Sequence, residues 1–167
     1  SEQGMDERIA KNVQHLLACG GTLQILSELC REVEMPFFPR VRMNSHYVID
    51  PSHPGYGRLR REHPEWLIGQ PGEVLPKYSI EWALRTGLNY AVAAVRDYME
   101  QITCEVFEGF EVDGVEMDFM RHPGYFRMEE AYAQRYLMTD LVQRVKTRLD
   151  AVSLARGKPL RLAVRVP

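Results

Sequence analysis

Two carboxylates set two residues apart are the first candidates for chemistry in the sequence. In Val112-Asp113-Gly114-Val115-Glu116-Met117-Asp118-Phe119-Met120-Arg121-His122-Pro123, the apolar Val115, Met117 and Phe119 alternate with Glu116 and Asp118. That period of two belongs to a β-strand, so the acids share a face, roughly 6.5–7 Å apart along the chain. A central strand of a parallel sheet is normally apolar on both faces. Two acids on one face cost desolvation unless water, cations or a ligand meet them. Neighbouring carboxylates also push their pKa values apart, so that one can hold a proton while the other is ionised, as general acid–base chemistry requires. Asp118 lies nearer the strand's carboxyl end and is the sharper catalytic candidate, with Glu116 assisting. The competing structural account pairs both acids with Arg40, Arg42, Arg161 and Arg165, which alternate onto the same face of two other segments.

Around these acids stand residues suited to binding. Arg121 and His122 open the loop after the strand, and Pro123 holds the backbone extended at His122. Arg121 either clamps a polar ligand or neutralises Asp118, and His122 is an acid, a base, a ligand or a polar loop residue. Asn44, Ser45 and His46 occupy the equivalent place after an earlier strand, where Asn44 is a hydroxyl binder or the start of an Asx turn. Arg42 and Arg165 complete the expected substrate-binding set. Trp66, with Tyr47, Tyr56, Tyr78 and Trp82, makes the following loop rich in aromatics that stack on sugar C–H faces or pack the loop. His46, His53 and His63 with Asp50 invite a metal reading, but their spacings of seven and ten match no zinc pattern. A metal-dependent hydrolase using His46 and Asp118 is the weakest of the functional readings, and no metal or other cofactor is expected.

The elements that must position these groups follow from periodicity. Leu23, Leu26, Leu29, Cys30 and Val33 predict a helix over 22–34, stopped by Pro36. Phe37 to Met43 reads as a strand with Phe38, Arg40, Arg42 and Asn44 on one face. From about 44 to 87, prolines, glycines, histidines and aromatics predict a long irregular excursion, with room for a helical turn at 57–63. Val92, Val95, Met99, Ile102 and Val106 predict an amphipathic helix over 91–108, ended by Gly109. A strand over 111–120 and a helix over about 129–155 follow. Gly157 and Pro159 stop that helix before a last strand over 160–167. Strand and helix alternating in this way predict right-handed βαβ units, a parallel sheet and the α/β class. Such sheets carry their chemistry at the carboxyl ends of the strands.

Composition narrows the classes further. The chain has 167 residues, is 45% hydrophobic and 26% charged, and carries a net charge of −2 from 21 basic and 23 acidic residues. Disordered and coiled-coil classes are excluded by that balance, and no basic footprint points to nucleic acid. No apolar run approaches the roughly 18 residues of a membrane span. The polar start at Ser1 lacks the order of a signal peptide, which leaves the compartment open. The oligomeric state is open as well. Cys19, Cys30 and Cys104 are odd in number and widely spaced, and read as reduced core thiols. The cations are overwhelmingly arginine, whose planar fork suits carboxylate and polar-ligand recognition. Phosphate-loop, nucleophile-elbow and zinc-protease motifs do not occur.

His63-Pro64-Glu65-Trp66, Leu88-Asn89-Tyr90, Val95-Arg96-Asp97-Tyr98 and Val112 to Phe119 together resemble the glycoside-hydrolase-like TIM-barrel proteins, in the group related to family-ten-like glycosyl hydrolases. The resemblance covers about residues 36–167. It implies that 112–119 is the fourth strand of a (β/α) barrel, with a carboxylate at its tip matching Asp118, and a carbohydrate substrate. The better-known form continues the strand with a second Asp and a Tyr, where this sequence has Phe119 and Met120. Eight strands in such barrels take about 250 residues. The expectation is therefore a single partial barrel domain over 1–167, acting as a glycoside hydrolase or hydrolase-like protein. A non-catalytic saccharide-binding barrel is the alternative.

Overall fold

In the computed structural model, Val41, Val115 with Met117, and Leu162 with Val164 sit at the centres of three short strands that pair in parallel. They are β1 (Arg40–Arg42), β2 (Gly114–Asp118) and β3 (Arg161–Arg165), in spatial order β1-β2-β3. The structure describes residues 2–46, 48–121 and 123–167 and, within these, the side chains of all but residues 2–7 and Pro54. Tyr47 and the candidate His122 lie outside the described residues. The chain is thus of the α/β class with a three-stranded parallel sheet.

One face of the sheet is apolar. Val115 and Met117 are fully buried beneath α5 (Ala93–Gly109) and α7 (Tyr136–Arg156), which also pack on each other. In α5 the buried Val95, Met99 and Phe107 recur every four or eight residues. In α7 the buried Leu141, Val145 and Leu149 recur every four. Salt bridges from Arg144 to Asp97 and from Arg148 to Glu108 lace the exposed side of this helix pair. Gly157 ends α7 in the left-handed conformation, φ 60°, and the Lys158 N–H reaches back to the Ser153 carbonyl.

The opposite face carries the charges. The register sets Glu116 between Arg40 and Ala163, and Asp118 between Arg42 and Arg165. At the amino end the same face closes. A Cβ on Gly114 would stand 2.1 Å from the Arg161 carbonyl oxygen and 2.4 Å from the Phe38 ring. Only glycine allows that approach.

Strand ends differ from the sequence expectation for physical reasons. β1 is confined to three residues of the expected 37–43 because Pro39 has no N–H for the ladder. The Phe37 N–H is instead taken by the Asp113 side chain at 2.8 Å. β2 stops at Asp118 because its own carboxylate bends the chain. Oδ1 accepts the N–H groups of Met120 (3.1 Å) and Arg121 (3.3 Å). The helix expected over 129–155 is divided into α6 (Ala131–Gln134) and α7 at Arg135, where the Met138 N–H bonds the Arg135 carbonyl.

The excursion after β1 is structured by short pieces. They are α3 (Arg58–Glu62), at the expected helical turn, α4 (Ile80–Leu84), and 3-10 turns at Pro54–Tyr56 and Pro64–Trp66. The helix expected over 22–34 is α2 (Gly21–Glu32). It follows a helix the sequence reading omitted, α1 (Glu2–Ala18). Ile9, Val13 and Leu16 recur along α1 at helical spacing but remain exposed.

Candidate functional site

The last rung of the sheet is the candidate site. Arg42, Asp118 and Arg165 are register partners at the carboxyl ends of β1, β2 and β3. Strand spacing puts the two arginine backbones about 10 Å apart with Asp118 between them. These three residues line one open cleft of about 400 Å³ together with Arg40, Met120 and Arg121. Asp118 is only 4% exposed, while the arginines around it are exposed. Its Oδ1 is held by the loop N–H groups, which orients the carboxylate toward the cleft and shapes the loop that carries Arg121.

Two tyrosines support the strand ends from beneath. The Tyr125 hydroxyl donates to the Phe119 carbonyl at 2.7 Å, and the Tyr90 hydroxyl donates to the Met43 carbonyl. Their rings meet edge to face at 5.2 Å, and the Tyr90 N–H bonds the Tyr125 carbonyl. Burial, reinforced by the nearby Asp118 charge, holds the Tyr125 hydroxyl well above the usual phenol range. Burial does the same for Tyr90. Both therefore remain protonated donors over the working pH range.

Glu116 has a different environment from Asp118. It lies one rung deeper, half-buried, with its Oε1 2.7 Å from Arg40 Nε, and does not line the cleft. Its nearest cation is thus Arg40, one rung below Asp118.

The structure brings together Arg42, Asp118, Arg121 and Arg165 at the cleft, whereas Glu116, Asn44, His46 and Trp66 do not line it. Asn44 is buried and committed to backbone. Its Nδ2 donates to the carbonyls of Leu88 (3.0 Å) and Gly124 (2.6 Å), and its Oδ1 accepts from the N–H groups of Ser45 and Leu88, each at 2.9 Å. With every polar atom engaged, it ties loops together and offers nothing to a hydroxyl. Trp66 stacks on His63 with ring centroids 4.1 Å apart and leans on Tyr98, so its faces serve packing outside the cleft. His46 is half-buried, and burial together with the Arg60 charge lowers its pKa. Neither His46 nor Trp66 lines the cleft. Among the described residues, no three His, Cys, Asp or Glu side chains gather as metal ligands.

Two cleft residues were not expected as site residues. Arg40 carried the signal, since it alternates onto the face of Arg42. Met120 carried none, because its position depends on the turn that Asp118 imposes.

In comparison with known structures, the chain is similar to a variant of the GH36 alpha-galactosidase AgaA from Geobacillus stearothermophilus solved with 1-deoxygalactonojirimycin. The TM-score is 0.53 at 19% identity, over 76% of this chain and 17% of that one. AgaB from the same organism (21% identity, TM-score 0.49) and the alpha-galactosidase of Lactobacillus brevis (18%, 0.48) each match over 85% of this chain and 18% of theirs. No family model and no curated protein matches. The chain spans about a sixth of the galactosidase chains to which it is similar, and the likeness to the first of them is one of fold.

Proposed function

We propose that this chain is a sector of a (β/α)-barrel protein of the glycoside-hydrolase kind, with Asp118 as its reacting carboxylate. One observation carries the reading. A buried carboxylate at the carboxyl end of the central parallel strand opens into a cleft flanked by arginines. Barrel enzymes hold their chemistry at that end. The fold likeness to a segment of an alpha-galactosidase supports the same reading and suggests an α-galactoside as the first substrate to test.

Glycosidases divide the task between two carboxylates, roughly 5–5.5 Å apart in retaining enzymes and 6.5–9.5 Å apart in inverting ones. Asp118 would attack the anomeric carbon or stabilise its developing positive charge. A second acid would protonate the departing oxygen. Glu116 is unsuited to that part, being paired with Arg40 beside the cleft. Strands beyond the three would supply the acid. Arg42, Arg121 and Arg165 bind the substrate in this reading.

The test is hydrolysis of an aryl α-galactoside by the protein and its Asp118→Asn variant. Turnover should fall by about three orders of magnitude or more in the variant, with binding retained. Equal turnover in both would remove Asp118 from the chemistry. A non-catalytic saccharide-binding protein is the second reading, favoured because Asp118 is the one carboxylate lining the cleft among the described residues. Binding without turnover in either protein would select it.

A further inference from the structure

A second cleft, of about 540 Å³, opens between α3, α5 and the segment after β1, and shares no lining residue with the one at Asp118. Tyr56 and Tyr98 give it an aromatic wall, and Ser45, Arg58, Arg60 and Glu62 supply polar groups. That volume and that make-up, aromatic surface with a few placed polar groups, are those of small-ligand sites.

The charges of this cleft are answered within it. Arg58 Nε lies 3.3 Å from Glu62 Oε2. Arg60 donates to the backbone carbonyls of Ser45 and Tyr56. Ser45 engages Asn44 and Arg60 through its backbone, so among the described residues its hydroxyl is left to the cleft. A ligand therefore meets donors and acceptors without a net charge: the hydroxyls of Ser45 and Tyr98, the Arg58 guanidinium and the Glu62 carboxylate. Gly57, with open space where a Cβ would stand, bares its backbone to the same cleft. A ring whose hydroxyls each donate and accept, and whose C–H faces are apolar, matches this lining. A carboxylate, which only accepts, and an ammonium, which only donates, do not.

The two clefts are neighbours along the chain. Ser45 follows Arg42 by three residues, which sets their Cα atoms no more than roughly 10 Å apart. We propose that the second cleft holds a neutral sugar unit of an oligosaccharide whose other end reaches Asp118. The proposal rests on the reading of the Asp118 cleft as a saccharide site, and it names the ligand of that site as a chain of sugars.

Calorimetric titration with galactose, α-galactobiose and α-galactotriose tests it. At least one of the two oligosaccharides should bind about tenfold or more tightly than galactose. At least one of the variants Arg58→Ala/Glu62→Ala and Ser45→Ala should lower that advantage by about threefold or more, the loss of a hydrogen bond. Arg58 and Glu62 are exposed, so the double variant should melt with the parent. Oligosaccharides that bind no more tightly than galactose would overturn the proposal and leave the saccharide reading standing. An advantage unchanged in both variants would also overturn it, since the Asp118 cleft alone would then hold the chain. No binding of any of the three sugars would overturn both the proposal and that reading.

Discussion

Asn44 shows how far a residue's neighbours can lie from it in sequence. Its amide joins the end of β1 to backbone 44 and 80 residues further along the chain. Truncation in Asn44→Ala would leave a buried Leu88 N–H and the Leu88 and Gly124 carbonyls without that partner, at a cost of about 2–4 kcal/mol. Denaturant unfolding measures it, and a loss under 0.5 kcal/mol would mean that the loops close without this tie. The same distances explain what was legible at this scale. Asp118, Arg42 and Arg165 could be placed on one face because alternation within a strand is local information. The partners of Asn44 at Leu88 and Gly124 lie far along the chain, and no local pattern reports them.

At the scale of elements, the amino end of the sheet is pinned by Asp113. Its backbone N–H donates to the Phe37 carbonyl ahead of β1, its carboxylate accepts the Phe37 N–H, and Lys158 ahead of β3 lies 3.0 Å from Oδ1. The Phe37 N–H, helped by Lys158, holds the Asp113 carboxyl below its ordinary value of 3.8. A carboxyl whose pKa is lower in the folded chain adds stability that is present above the unfolded value and lost as pH falls through the folded one. Asp113→Ala should therefore cost about 1 kcal/mol at pH 7, given partial exposure, and the gap from the parent should close as pH drops below 3.8. Thermal melts across pH 2–7 would detect this, and a gap constant with pH would exclude the carboxylate as its source. Helices α5 and α7 were readable because their buried stripes repeat at 3.6 residues. The trimming of β1 by Pro39 and of β2 by the Asp118 side chain needed the pairing partners.

For the whole molecule, the barrel proposal predicts a physical property of the chain by itself. Among the described residues, β1 and β3 each have a neighbour on one side only. Beside β3 an open apolar groove of about 410 Å³ runs past Phe119, Tyr125, Met138, Val142 and Val164. Unpaired edges and exposed apolar surface of this kind promote association. The 167-residue chain should bind a hydrophobic dye and show a mass that grows with concentration in light scattering. A monomer that melts sharply and binds no dye would argue against a barrel sector. The parallel order was legible from the alternation of strand and helix. The Phe38 ring over Gly114 has a consequence for traffic through the polar face. With that ring over Gly114 at the amino end, a molecule that reaches Asp118 approaches from the carboxyl end, where Arg42, Arg121 and Arg165 line the cleft.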